Sequence, residues 1–166
     1  ILGASLDAAT GVSLAKSFLG IIGGSGIYDL EIEHARWETI KSPWGEPSDQ
    51  LRIGEMGGLP VAFLPRHGRG HVYSPTTINY RANIDILKRA GVTRVVMLTG
   101  DNRGTAEVVG REVGVDEVRA ELLPEDKVRA VEELERDHGP TAMIGDGVND
   151  APALARSTLG VAMGAA

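Results

Sequence analysis

Two carboxylates, Asp146 and Asp150, follow the short apolar run Thr141–Ile144. That run reads as a buried strand stopping at Gly145, with a helix starting near Asn149. Gly147 lies between the acids and lets the backbone turn sharply. Two carboxylates at the carboxyl end of a strand in an α/β sheet make a hard-oxygen site suited to Mg²⁺. The same residues also read as a plain strand–turn–helix, with Asn149 or Asp150 as N-cap and Pro152 in the first turn. A second candidate is the loop Pro65-Arg66-His67-Gly68-Arg69-Gly70-His71. Its arginines and histidines, at a strand end and among glycines, suit a phosphate or carboxylate. A solvated basic loop is the alternative. A third is the turn Gly23-Gly24-Ser25-Gly26 after Ile21 and Ile22, where backbone N–H groups can approach an anion. It is not a dinucleotide fingerprint, because no G-x-G-x-x-G opens a helix there.

The elements that must position these groups are legible as periodicity and turn signals. Residues 1–20 read as a short strand, a loop from Asp7 to Gly11, then a helix with Val12, Ala15, Phe18 and Leu19 on its apolar side. Short strands are expected at Trp37–Ile40, Gln50–Ile53 and Pro60–Leu64, separated by proline- and glycine-rich turns. A helix is expected over Thr76–Ala90, stopped by Gly91. Then strand Thr93–Leu98, a helix to Val113, strand Val118–Leu122, a helix opened by Pro124, the strand and short helix around Asp146, and a last strand at Leu159–Met163. Helix–strand alternation of this kind means a parallel sheet with helices on its faces. The expectation is one α/β domain: a three-layer Rossmann-like sandwich, mostly parallel, with a small antiparallel excursion near residues 37–64.

The chain has 166 residues, no cysteine and a net charge of -6. That length can bury a real core. The charge argues against nucleic acid or an anionic membrane as partner. No apolar run approaches the roughly 20 residues a bilayer span needs. Asp7 and Lys16 interrupt the apolar start and no basic leader precedes it, so no signal peptide and a cytoplasmic location are expected. All seven aromatic residues lie between Phe18 and Tyr80. Residues 1–91 are neutral overall, and residues 92–166 carry the whole net charge of -6. The two halves look as if they come from different sources.

The later part, from about Val92 to Ala166, resembles the phosphorylation domain of heavy-metal P-type ATPases, within the haloacid dehalogenase-like group. The carriers are Met97-Leu98-Thr99-Gly100-Asp101-Asn102, Ala120-Glu121-Leu122-Leu123-Pro124-Glu125-Asp126-Lys127 and Gly145-Asp146-Gly147-Val148-Asn149-Asp150-Ala151-Pro152-Ala153-Leu154-Ala155. The resemblance implies that Thr99 and Gly100 hold the transferred phosphoryl group and Lys127 neutralises charge on it. It implies that Asp146 coordinates Mg²⁺, with Asn149 and Asp150 completing the loop. Phosphoryl transfer asks mainly for positioning, a metal and a cation.

The earlier part, from about Gly20 to Arg94, resembles the amino-terminal part of methylthioadenosine and other purine nucleoside phosphorylases. The carriers are Ile21-Ile22-Gly23-Gly24-Ser25-Gly26-Ile27-Tyr28, Ser42-Pro43-Trp44-Gly45-Glu46-Pro47-Ser48-Asp49, the basic loop, and Pro75-Thr76-Thr77-Ile78-Asn79-Tyr80-Arg81-Ala82-Asn83. This resemblance implies that Ser25, Arg66 and His67 bind inorganic phosphate. The purine-binding later half of that family is absent. The chain thus looks like a chimera with its seam between Ile84 and Val96, and sub-regions 1–20, 21–91 and 92–166.

The ATPase resemblance lacks its Asp-Lys-Thr-Gly-Thr motif. Asp7, after an apolar run and before Thr10-Gly11, is the candidate nucleophile, since a carboxylate can form an aspartyl-phosphate. Lysine does not follow it, and Thr10 comes one position late; an ordinary strand-end Asp is the alternative. The expected function is Mg²⁺-dependent phosphoryl transfer or phosphate binding, weakly active or inactive, on inorganic phosphate or a phosphorylated small molecule. The alternatives are a phosphate-binding nucleoside phosphorylase fragment and a recombined fold without catalysis.

Overall fold

A two-glycine turn sets the first sheet. Gly57 and Gly58 both have positive φ, 55° and 78°, the geometry that joins two twisted antiparallel strands most tightly. The strands they join are β3 (Leu51–Met56) and β4 (Leu59–Pro65). Strand β1 (Leu19–Gly23) pairs in parallel with β4, Ile21 opposite Phe63, and β2 (Glu33–Glu38) pairs antiparallel with β3. The order is β1-β4-β3-β2. This computed structural model describes residues 18–24, 30–145 and 148–163. The strand, loop and helix expected in residues 1–17 lie outside them, as do Asp7, Ser25 and Asp146. Leu19, expected on that helix, opens β1 instead.

Several boundaries differ from expectation, the strand Val96–Leu98 (expected from Thr93) and the strand Glu117–Arg119 (expected at Val118–Leu122) among them, and two have clear physical reasons. The antiparallel excursion begins at Glu33 rather than Trp37, because β2 is an edge strand of exposed, charged residues. An edge strand shows no apolar alternation to read. Helix α1 (Tyr80–Ala90) begins four residues later than Thr76. The Ser74 carbonyl accepts the Thr77 N–H at 3.0 Å, and the Ser74 hydroxyl lies 3.0–3.1 Å from those of Thr76 and Thr77. Such local bonds compete with a helix. Asn79 then caps it, accepting the Ala82 N–H at 3.0 Å, and Gly91 ends it in a left-handed conformation.

From there helices and strands alternate as expected: β5 (Val96–Leu98), α2 (Arg103–Val113), β6 (Glu117–Arg119), α3 (Pro124–His138), β7 (Ala142–Gly145), α4 (Ala151–Arg156) and β8 (Leu159–Ala162). Strand β5 pairs in parallel with β6, and β7 in parallel with β8. The architecture is α/β with a mixed first sheet. Among the described residues the strands make three sheets, one of four strands and two of two. Residues of β1, β5 and β7 line a cavity of about 230 Å³.

Three apolar clusters hold the chain together. Helix α1 buries Ile86 and Leu87 on Leu51, Ile53, Ala62 and Leu64. Leu19, Ile21, Val61 and Phe63 pack with Val161 of β8, which ties the first sheet to the last strand pair. Met143, Val131, Ala153 and Leu154 form the third cluster, with Leu98 against it. No described helix is long and apolar enough to cross a membrane.

Candidate functional site

The third cluster packs the elements that carry Lys127 and Asp150. Pro124 starts α3, and the Asp126 carboxylate accepts the Leu123 N–H at 2.9 Å, closing the first turn. That turn carries Lys127. Asp150 sits at the start of α4, but its carboxylate does not cap the helix. It accepts from Lys127 Nζ at 2.6 Å, and each side chain is only 14% exposed. The N-cap alternative for Asp150 therefore describes its backbone position and not its side chain. Asp150 lies over the end of β7: a Cβ on Gly145 would stand 2.4 Å from Asp150 Oδ2. The missing side chain makes room for the acid.

Leu98, on the third cluster, brings the following residue Thr99 to this end of the sheets. The Thr99 hydroxyl donates to Asp101 Oδ2 at 2.9 Å and accepts the Asp101 N–H at 3.1 Å. Its N–H donates to the Arg119 carbonyl at 3.0 Å, and its carbonyl accepts from the Leu122 N–H at 3.0 Å. The corner is thus rigid, and Gly100 at its tip is exposed. Asp101 is the member sequence reasoning passed over; its place two residues after Thr99 was the available signal. Asn102 caps α2 through the Thr105 N–H at 3.0 Å.

Among the described residues no three His, Asp or Glu side chains cluster as a metal site. Asp150 offers one carboxylate, and Asp146, beyond them, would be the second. A small hard cation bound through one or two carboxylates plus substrate oxygens fits that donor set.

Members of the basic loop differ in the partners they hold. Arg66 follows β4; its N–H donates to the Gly23 carbonyl at 2.8 Å. Its Nη2 would stand 3.6 Å from a Cβ on Gly24. The guanidinium therefore lies against Gly24. Arg66 Nε donates to His67 Nε2 at 3.2 Å, and His67 Nδ1 lies 2.8 Å from the Tyr73 carbonyl. An Nε2 that accepts leaves Nδ1 to carry the proton. Arg69 is withdrawn from ligand work. It binds Asp49 at 2.9 Å and its guanidinium stacks 4.1 Å from the Trp37 ring centre. Burial pushes the Asp49 carboxyl up, but bonds from Arg69 and two backbone N–H groups outweigh it and hold the acid below the usual carboxylate range.

The two halves meet at one edge. Met163, after β8, donates its N–H to the Gly145 carbonyl at 2.7 Å. Its Cε would stand 3.4 Å from the same Cβ on Gly24 that faces Arg66. A continuous line runs from Arg66 through Gly24, Met163 and Gly145 to Asp150 and Lys127.

Residues 72–158 match the family model for haloacid dehalogenase-like hydrolases. The chain belongs to that family. It is also 63% identical over 87 residues to the S-methyl-5'-thioadenosine phosphorylase of Bradyrhizobium diazoefficiens, covering 52% of this chain and 30% of that one. It is 56% identical over 80 residues to a probable cadmium-transporting ATPase of Staphylococcus aureus, covering 48% of this chain and 10% of that one. Among solved structures, a methylthioadenosine phosphorylase from an antarctic soil metagenomic library aligns with a TM-score of 0.45 and 44% identity, over 52% of this chain and 30% of that one. A zinc-transporting PIB-type ATPase aligns with a TM-score of 0.42 and 48% identity, over 45% of this chain and 12% of that one. Two unrelated families therefore meet in one chain, which spans less than a third of either relative. The family model reaches back to Val72, ahead of the expected seam at Ile84–Val96.

Proposed function

We propose that this protein binds phosphate groups with Mg²⁺ at the Thr99–Lys127–Asp150 end of its sheets, as a phosphoryl-transfer domain of low or no turnover. The observation that carries the reading is the mostly buried Lys127–Asp150 pair at 2.6 Å. Lys127 supplies the cation that a transferred phosphoryl group needs, and swings from Asp150 to the phosphate oxygens. The Gly100 N–H gives a neutral donor, and the Thr99 hydroxyl gives a second on turning from Asp101. Asp150, with Asp146, holds Mg²⁺, which would neutralise charge on the transferring group. Asp7 is the nucleophile of this reading: its carboxylate oxygen forms a bond to phosphorus as the leaving oxygen departs, and water then cleaves the acyl phosphate.

The test is thermal unfolding with Mg²⁺ and inorganic phosphate, together with aryl phosphate hydrolysis. A ligand that binds only the folded state raises stability by mass action. Stabilisation by the two ligands together, lost in Lys127→Ala and Asp146→Ala, is expected. Hydrolysis abolished by Asp7→Asn adds the catalytic step, and stabilisation without hydrolysis leaves a binding fold. No stabilisation by either ligand ends the reading.

A second reading rests on Arg66 lying against Gly24: a phosphate site of the phosphorylase kind, with Ser25 and His67. Stabilisation by phosphate without Mg²⁺, lost in Arg66→Ala and kept in Lys127→Ala, would favour it. Release of base from methylthioadenosine with phosphate would be required for phosphorolysis.

A further inference from the structure

The loop after β4 is built around one imidazole ring. The Tyr73 N–H donates to the His67 carbonyl at 3.0 Å, and His67 Nδ1 lies 2.8 Å from the Tyr73 carbonyl. A carbonyl oxygen has no proton to give, so Nδ1 is the donor. Nε2 of the neutral ring then keeps its lone pair, and Arg66 Nε donates to it at 3.2 Å. The His71 ring stacks on the same imidazole, 5.6 Å between centres and 16° from parallel. His71 does so at a φ of 56°, where residues with a side chain are uncommon. Gly68 holds the loop close to its neighbour: a Cβ there would stand 2.8 Å from the Ser48 carbonyl. The Arg69 N–H adds a bond to Asp49 at 2.7 Å. The ring is therefore fixed in position, orientation and tautomer.

A ring held this way has no hydrogen bond to give an oxyanion. Its single N–H goes to Tyr73, and its lone pair accepts from Arg66. We propose that His67 is a positioning residue for Arg66 and not itself an anion ligand. The proposal rests on the reading of Arg66 as a phosphate site, and it changes how that site works. A guanidinium can grip an oxyanion side-on, through Nε and one Nη, or end-on, through both Nη atoms. His67 occupies Nε, which leaves the end-on grip. Nη2 lies on the side of Gly24, 3.6 Å from where a Cβ would stand. That residue has no side chain to cover the fork. Two donors in one plane suit an anion that presents two oxygens at once, as inorganic phosphate does. A fork already held still loses less freedom when the anion arrives.

The test is a titration of the full chain with inorganic phosphate, without Mg²⁺, at a fixed pH above the ordinary histidine pKa of about 6.5. Ring nitrogen chemical shifts of His67 are read before and after saturation. A protonated Nδ1 and an unprotonated Nε2 are expected in both states. A protonated Nε2 with phosphate bound overturns the proposal, because the ring would then donate to the anion. Two variants test the same point by affinity. In His67→Gln the side-chain oxygen can still accept from Arg66 Nε; in His67→Leu nothing can. Phosphate affinity is expected to fall about tenfold or more in His67→Leu, as when a hydrogen bond to a charged group is lost. His67→Gln should keep most of it. An equal fall in both variants overturns the proposal. The ring shifts are read on the parent, so they decide the matter even where His67→Leu fails to fold. No phosphate binding by the parent ends the Arg66 site itself, and the proposal with it. Binding lost in Arg66→Ala but kept in His67→Leu overturns the proposal alone.

Discussion

Lys127 and Asp150 depend on each other more than either depends on solvent. Removing the lysine leaves a mostly buried carboxylate without its cation, and an unpaired buried acceptor costs about 1–3 kcal/mol. Lys127→Met should lower stability by that amount in urea unfolding. Lys127→Met with Asp150→Asn should lose less than the two single variants together, because neighbours in one pair do not add. Additive losses would mean that the pair is incidental. Gly145 is the quieter member of the same arrangement. Its Cβ in Gly145→Ala would stand 2.4 Å from Asp150 Oδ2, so the acid must swing off the strand end and leave Lys127. Overpacking of this sort costs about 1–3 kcal/mol, and Mg²⁺-dependent stabilisation should vanish with it. Retained Mg²⁺ stabilisation in Gly145→Ala would take Asp150 out of the metal site. Types and spacing singled out Asp150 as a candidate, and the resemblance to the ATPase phosphorylation domain added Lys127 and Thr99. The direct Lys127–Asp150 contact was not, since two residues 23 apart in sequence meet only once β7 and α3 have packed. Arg69 was misleading for a related reason: its charge suits an anion, but Asp49 and Trp37 already occupy it.

Elements were most legible where punctuation and periodicity agree. Gly91 ends α1, Gly114 ends α2 and Gly139 ends α3, each at a residue with little cost for an unusual turn. The edge strand β2 was read only from Trp37 onward, because one partner and open solvent leave no pattern in its earlier side chains. One helix glycine has a packing role that propensity alone would hide. Ala outranks Gly in a helix by about 1 kcal/mol, so Gly110→Ala in α2 looks stabilising. A Cβ there would meet Val118 Cγ2 of β6 at 2.3 Å and Val115 Cγ2 at 3.2 Å. The helix would have to lift from its strand. Gly110→Ala should therefore destabilise by about 1–3 kcal/mol, and Gly110→Ala with Val118→Ala should recover part of the loss. A more stable single variant in thermal unfolding would show that α2 sits further from β6 than this.

At the scale of the whole molecule, the grouping of strands into sheets is what the chain concealed. Each half carries pairing signals for its own relatives, and local periodicity says nothing about which edge meets which across a seam. Ion pairs tie elements of the later half together. Glu117 on β6 accepts from Arg94 at 2.6 Å, before β5, and from Arg119 at 2.7 Å, which also reaches Glu133 on α3 at 2.7 Å. Hydrogen bonds from Arg94 and then Arg119 hold the Glu117 carboxyl below its ordinary value against a smaller opposing effect of burial. A carboxyl depressed on folding adds stability above its unfolded pKa, about 4.3 for glutamate. That stability is lost as pH falls through the lower folded value. Asp49, held down by Arg69, acts in the same direction in the first sheet. Urea midpoints should therefore fall as pH drops from about 5 to 3. Glu117→Gln cannot gain or lose that proton, so it should start lower at pH 6 and fall less steeply. Its amides in β5 and β6 should exchange faster at pH 6, while those of β3 and β4 keep their parent rates. Parallel curves for parent and variant would mean that this network does not join β5, β6 and α3 in solution. A steep fall that Asp49→Asn alone removes would put the acid-sensitive contact in the phosphorylase-like sheet.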